Sequence, residues 1–107
     1  MTETEFQQHV ESTLARIESA IDALDLDIDC ERKADTVLEL SFEDDSRIIV
    51  NGQAAAQEIW LAAKSGGQHF RYTDGAWINT CDRTDLFRAL SVVVSDQAGQ
   101  QVTLSAT

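Results

Sequence analysis

Apolar residues recur at Phe6, Val10, Leu14, Ile17, Ile21 and Leu24, in steps of four, four, three, four and three. That spacing lays one stripe along an α-helix and predicts an amphipathic first helix with a buried face. Thr2 and Glu5 supply a T-x-x-E capping box at its start. No glycine closes the far end, and around Asp25–Leu26 the period changes from helical to alternating. Ile28 and Cys30 alternate with Asp27, Asp29 and Glu31, which predicts a half-buried strand. Leu38, Leu40 and Phe42 alternate with Val37, Glu39 and Ser41 in a second strand. The turn Glu43–Ser46 leads to a third strand at Arg47–Asn51, and Glu58–Lys64 reads as a fourth. Ser65–Gly67 turns the chain into "QHFRYT", the fifth, and Thr73–Gly75 turns it into "AWIN", the sixth. Short turns between successive strands predict an antiparallel meander.

A second helical stripe follows at Leu86, Leu90 and Val93, flanked by Phe87 and Val94, with Thr84 or Asp82 as its expected cap. The tail Gln100–Thr107 is expected to run extended and pack back onto the body. The fold class that follows is α+β: a two-layer sandwich, with two terminal helices on one face of an antiparallel sheet of about six strands. The other sheet face then looks at solvent. At this length, residues 1–107 form one domain.

Charge changes the picture more than composition does. Residues 1–45 hold 14 acids against Arg16, Arg32 and Lys33, so they carry the whole formal charge of −11, while residues 46–107 balance. A field polarised in this way repels nucleic acid and anionic membranes, and attracts cations or basic protein surfaces. No apolar run approaches the ~18 residues that span a bilayer, and the acid-rich start resembles no secretory or transit segment. Two cysteines far apart, Cys30 and Cys81, give neither a disulfide framework nor a zinc pattern. A cytoplasmic location is the expectation.

The acids concentrate in Ile21–Glu31, "IDALDLDIDCE", five carboxylates without a cation. Glu11, Glu18, Asp22 and Asp25 fall on one helical stripe, and Asp27, Asp29 and Glu31 fall on one side of the strand. One continuous acidic ridge along a domain edge is expected. Asp22 and Asp25, placed in the last helical turn, oppose the helix dipole at a cost of up to ~1 kcal/mol each, which marks the ridge as a candidate functional surface. A solvated face guarding an edge strand is the bland alternative.

Carboxylate oxygens suit Mg²⁺, Ca²⁺, Mn²⁺ or oxygen-loving iron. Cys30 and Thr36 stand where an EF-hand needs glycine and glutamate, so weak, shallow, multiple-ion binding is expected. The same ridge suits a basic partner surface. His9, near Glu5 on the first helix, is placed to add a nitrogen ligand, but an exposed spectator is the expectation; His69 is given no metal role. Cys30 faces the core as an inert thiol. Nothing in the spacing suggests a Cys–His pair, a phosphate loop or a carboxylate pocket fit for acid–base catalysis. On the fourth strand Ile59 and Leu61 take one face and leave Trp60 on the other, with Asn51 and Gln53 as polar neighbours; a surface Trp among amides has the make-up of an interaction hot spot. Trp77 reads as core or edge packing.

The stretch "NGQAAAQEIWLAAKSGGQHFRY" resembles the signature region of the frataxin family, roughly N-x-Q-x-P-x-x-Q-[IV]-W-L-[AS]. "DIDCE", the SGG-x-HF turn and "CDR" after the sixth strand narrow the resemblance to the family's bacterial branch. It covers essentially the whole chain. Ala55 replaces the usual proline, Ser19 and Ala23 replace acids common on the first helix, and Asn79–Thr80 stand before "CDR". The resemblance implies an iron-binding protein of iron–sulfur cluster assembly, a regulator, an iron donor or both; a non-enzymatic, mainly monomeric protein with iron-dependent oligomers is the expectation. It implies weak Fe²⁺ and Fe³⁺ binding at Glu18, Asp22, Asp25, Asp27, Asp29 and Glu31, with other divalent cations able to substitute. It also implies docking on a cysteine desulfurase and its scaffold through Glu18, Asp22 and Asp25, with Asn51, Gln53 and Trp60 as further contacts. The rivals are a ferroxidase that oxidises Fe²⁺ at the ridge and a purely electrostatic docking module.

Overall fold

The first stripe forms α1, Glu3–Asp22, in a computed structural model that describes residues 1–105. The capping box is reciprocal: the Glu5 N–H donates to Thr2 Oγ1 at 3.1 Å and the Thr2 N–H to Glu5 Oε1 at 2.8 Å. The C-cap is Ala23. Leu24 leaves the helix yet still packs against the core, so the apolar stripe outlasts the helix that it predicted. Asp25 therefore lies beyond the last turn, and only Asp22 sits in it. That corrects the placement of Asp25.

The strands are β1 Asp29–Ala34, β2 Val37–Ser41, β3 Arg47–Gln53, β4 Glu58–Ala63, β5 Gly66–Thr73 and β6 Ala76–Asn79. They form one antiparallel sheet in sequence order, with β1 and β6 at its edges. Pairing of β1 begins at Asp29 opposite Ser41. It goes no further because Phe42 is engaged in the turn: its N–H donates to Ser46 O and its carbonyl accepts from the Asp45 N–H, both at 3.0 Å. The second helix is α2, Leu86–Ala98, closed by Gly99 in the left-handed region at φ 74°. Its cap is Asp85, whose Oδ1 accepts the Phe87 N–H at 2.8 Å. This corrects the expected Thr84 or Asp82, since Asp82 Oδ1 is held by the Thr84 N–H at 2.9 Å.

Both helices cover one sheet face, where Leu38, Leu40, Ile48, Val50, Ile59, Leu61 and Phe70 are fully buried. Each such side chain contributes roughly 1.5–3 kcal/mol relative to exposure. Trp77 is core: its indole N–H donates to Thr13 Oγ1 at 2.9 Å and its ring meets Phe6 edge-on at 5.9 Å. A Cβ on Gly52 would stand 2.9 Å from Val10 Cγ1, so glycine sets how closely α1 crosses β3. After α2 the chain returns to the body, burying Val102 and Leu104. The Ser95 and Ser91 hydroxyls accept the Val102 and Leu104 N–H groups, each at 2.8 Å. Thr107 and Ala106 of the expected tail lie outside the described residues. Among the described residues no helix is long and apolar enough to cross a membrane.

Candidate functional site

Residues paired across antiparallel strands project from the same sheet face. Cys30 and Arg32 pair with Leu40 and Leu38, so they face the helices; Asp29 and Glu31 pair with Ser41 and Glu39 and face the open side. The acids of α1 and β1 thus approach the sheet edge from its two sides, with basic residues set among them. Arg32 forms an ion pair with Glu18 and also donates to the Asp35 carbonyl at 3.2 Å. Lys33 pairs with Glu31 at 2.9 Å, which offsets the like-charge pairing of Glu31 with Glu39. Arg47 lies 3.6 Å from Glu39.

Asp22, Asp25, Asp27 and Asp29 are exposed, and among the described residues no Lys, Arg or His pairs with them. A shallow cleft of about 360 Å³ brings Glu18, Asp22 and Asp29 together beside Ser19 and Cys30. Asp25 and Glu31 lie outside it, and Asp27 borders a smaller hollow of about 150 Å³ near Phe42 and Gln97. Among the described residues no three His, Cys, Asp or Glu side chains converge as a metal cage. The edge offers open carboxylates to a hydrated ion, in a line of ligands without a closed shell. Cys30, half-buried in the same cleft, has its thiol pushed up to about 11 by burial and by the nearby Glu18 charge. It is a neutral, inert thiol there.

The open sheet face is organised around Glu58, which the sequence pattern marks only as the start of the fourth strand. Glu58 is only 8% exposed. Its Oε1 accepts the Trp60 indole N–H at 3.0 Å, and its Oε2 accepts the Arg71 Nε–H at 3.0 Å. His69 Nδ1 lies 3.5 Å from Oε1. The Trp60 bond and the Arg71 contact hold the Glu58 carboxyl below the usual carboxylate range, against burial that pushes the other way. Trp60 is 37% exposed and stacks on His69 at 4.6 Å with the planes 9° apart. Asn51 pairs with Trp60, and Gln53 with Glu58, in the β3–β4 register. Parity placed Trp60 on this face, with Asn51 and Gln53 expected as its polar neighbours. It could not supply the β4–β5 register that adds His69 and Arg71. His9 differs from its expectation: it is half-buried and stacked on Tyr72 at 4.3 Å, so it is a packing residue of α1.

The family model for the frataxin-like domain matches residues 1–100. The iron–sulfur cluster assembly protein CyaY of Janthinobacterium sp. (strain Marseille) is 51% identical, over 97% of this chain and 96% of its own. That of Herminiimonas arsenicoxydans is 50% identical over the same shares. The solved structure of frataxin from Psychromonas ingrahamii superposes with a TM-score of 0.91 at 28% identity, covering 98% of this chain and 99% of its own. The helix–meander–helix order is therefore the frataxin fold.

Proposed function

This chain belongs to the frataxin family, and on that premise we propose that it is a non-enzymatic, iron-binding regulator of iron–sulfur cluster assembly. The relatives' name supplies the process. The observation that carries the iron reading is the run Asp22, Asp25, Asp27 and Asp29, exposed and, among the described residues, without counter-ions, while neighbouring Glu18 and Glu31 have theirs. Fe²⁺ bound there keeps most of its water and exchanges quickly, as suits an ion in transit. Fe³⁺ and other divalent cations use the same oxygens.

The same carboxylates steer a basic partner surface, the cysteine desulfurase in this reading, by long-range attraction. Asn51, Gln53 and Trp60 then face the desulfurase–scaffold assembly, in the cytoplasm. Encounter through such an edge is salt-sensitive.

An anaerobic Fe²⁺ titration of ¹⁵N-labelled protein, followed amide by amide, tests the reading. Broadening confined to residues 17–31 is the expected result, lost when Asp22, Asp25, Asp27 and Asp29 are all changed to Asn. Uniform or absent broadening removes the metal role. Oxygen uptake per iron is expected to match buffer alone; faster uptake that the four Asn changes abolish would make the protein a ferroxidase.

A further inference from the structure

We propose that the hollow between Arg71 and Arg83, beside Trp60, takes a carboxylate side chain of a protein partner, so that the molecule docks through two surfaces of opposite sign. This deepens the docking half of the function proposed above and rests on it for the partner being a protein. The hollow measures about 340 Å³, and Thr73 and Thr80 also line it.

Among the described residues, Arg32, Lys33, Arg47, Lys64 and Arg71 are engaged in ion pairs. Arg83 is exposed and has no ion pair among the described residues. Arg71 meets Glu58 through Nε, and its side chain remains 65% exposed. The rest of its guanidinium fork is open to a second acceptor. Glu58 balances one of the two guanidinium groups, which leaves a positive hollow on a chain of net charge −11. The nearby acids Asp82 and Asp85 accept the Thr84 and Phe87 N–H groups, and neither borders the hollow.

Arg83 also holds φ 64°, a left-handed conformation that is strained for a non-glycine residue. No side-chain hydrogen bond within the chain accompanies that strain among the described residues. Strain of this kind concentrates where a side chain serves a binding role.

Register supplies the partner's shape. The row Asn51, Trp60, His69 runs beside the row Gln53, Glu58, Arg71, Ile78. A segment crossing both rows sets one side chain on the Trp60–His69 stack and a neighbouring carboxylate on the arginine fork. A free phosphate uses only the second of these. One surplus positive charge holds a small anion weakly, so the arrangement favours a peptide acid.

The probe is acetyl-Ala-Glu-Ala-Glu-Ala-amide, with its Gln counterpart as control, added to the full chain at constant ionic strength. NMR follows the Trp60 indole and Arg71 Nε–H signals. Both are expected to move saturably with the Glu peptide and hardly with the Gln peptide. Arg83→Gly removes the charge while relieving the backbone, so the variant folds with equal or higher Tm. It is expected to weaken binding two- to fivefold. Stationary signals, equal movement with the Gln peptide or unchanged affinity in Arg83→Gly would each overturn the site. Inorganic phosphate saturating the same signals at equal or lower concentration would overturn it in favour of a free-anion site. The iron titration reads the opposite edge, so either proposal can fail while the other stands.

Discussion

At the middle of the open sheet, Glu58 is almost enclosed, with one oxygen on the Trp60 indole and the other on Arg71. At the α1–β1 edge, Asp22, Asp25, Asp27 and Asp29 stand in solvent with no cationic side chain paired to them among the described residues. The chemistry is the same carboxylate in both places. Enclosure makes Glu58 a structural hub that orients side chains around it. Isolation leaves the aspartates as charge available to something outside the molecule. What separates a structural acid from a candidate ligand is therefore the set of donors that the fold places around it.

Removing the hub tests that contrast most severely. Glu58→Ala leaves an indole N–H and a guanidinium without their acceptor, and is expected to cost about 1–3 kcal/mol in urea unfolding. Glu58→Gln keeps an acceptor for Trp60 but not for Arg71, and should fall between the two. A loss below roughly 0.5 kcal/mol, the level of an ordinary surface change, would break the comparison. At the edge the sign reverses. Asp22→Asn takes a negative charge from the last turn of α1 and is expected to stabilise by about 0.3–1 kcal/mol at low salt. Asp25→Asn, outside the helix, should leave stability unchanged.

The smallest effect is in pH. The folded Glu58 carboxyl is held below its ordinary value of 4.5. Its contribution is therefore fully present above about 4.5, the unfolded value, and is lost as pH falls from there through the lower folded value. A pH series of urea melts should show Glu58→Gln with a shallower acid limb than the parent. Parallel limbs would mean that Glu58 titrates alike in both states.

Much of this organisation was legible in the chain. Periodicity located both helices and six strands, and strand parity put Trp60 outside and Ile59 and Leu61 inside, as the structure has them. The end of α1 was not legible, because Leu24 keeps the helical spacing after the backbone has left the helix. The α2 cap was missed because three candidates stand in "DRTD", and a separate Asx turn engages Asp82. The counter-ions of the edge were missed for a related reason. Arg32 sits next to Glu31 in sequence, but alternation sends it to the helix side, where it meets Glu18, fourteen residues earlier. Glu58, His69 and Arg71 needed a register that no single strand encodes.

The indole bond from Trp77 to Thr13 joins residues 64 positions apart, and it has a consequence for how the chain is born. The meander can close hairpin by hairpin as it emerges, since every strand pairs with its neighbour in sequence. The first helix packs on β1 and β3, but its hydrogen bond to Trp77 waits for the last strand. At about 5–20 residues per second, roughly 3–13 seconds separate the synthesis of Thr13 from that of Trp77. During that interval the Thr13 hydroxyl has no indole donor and Phe6 no Trp77 ring against it, so a ribosome stalled within the meander leaves that part of the helix face uncovered.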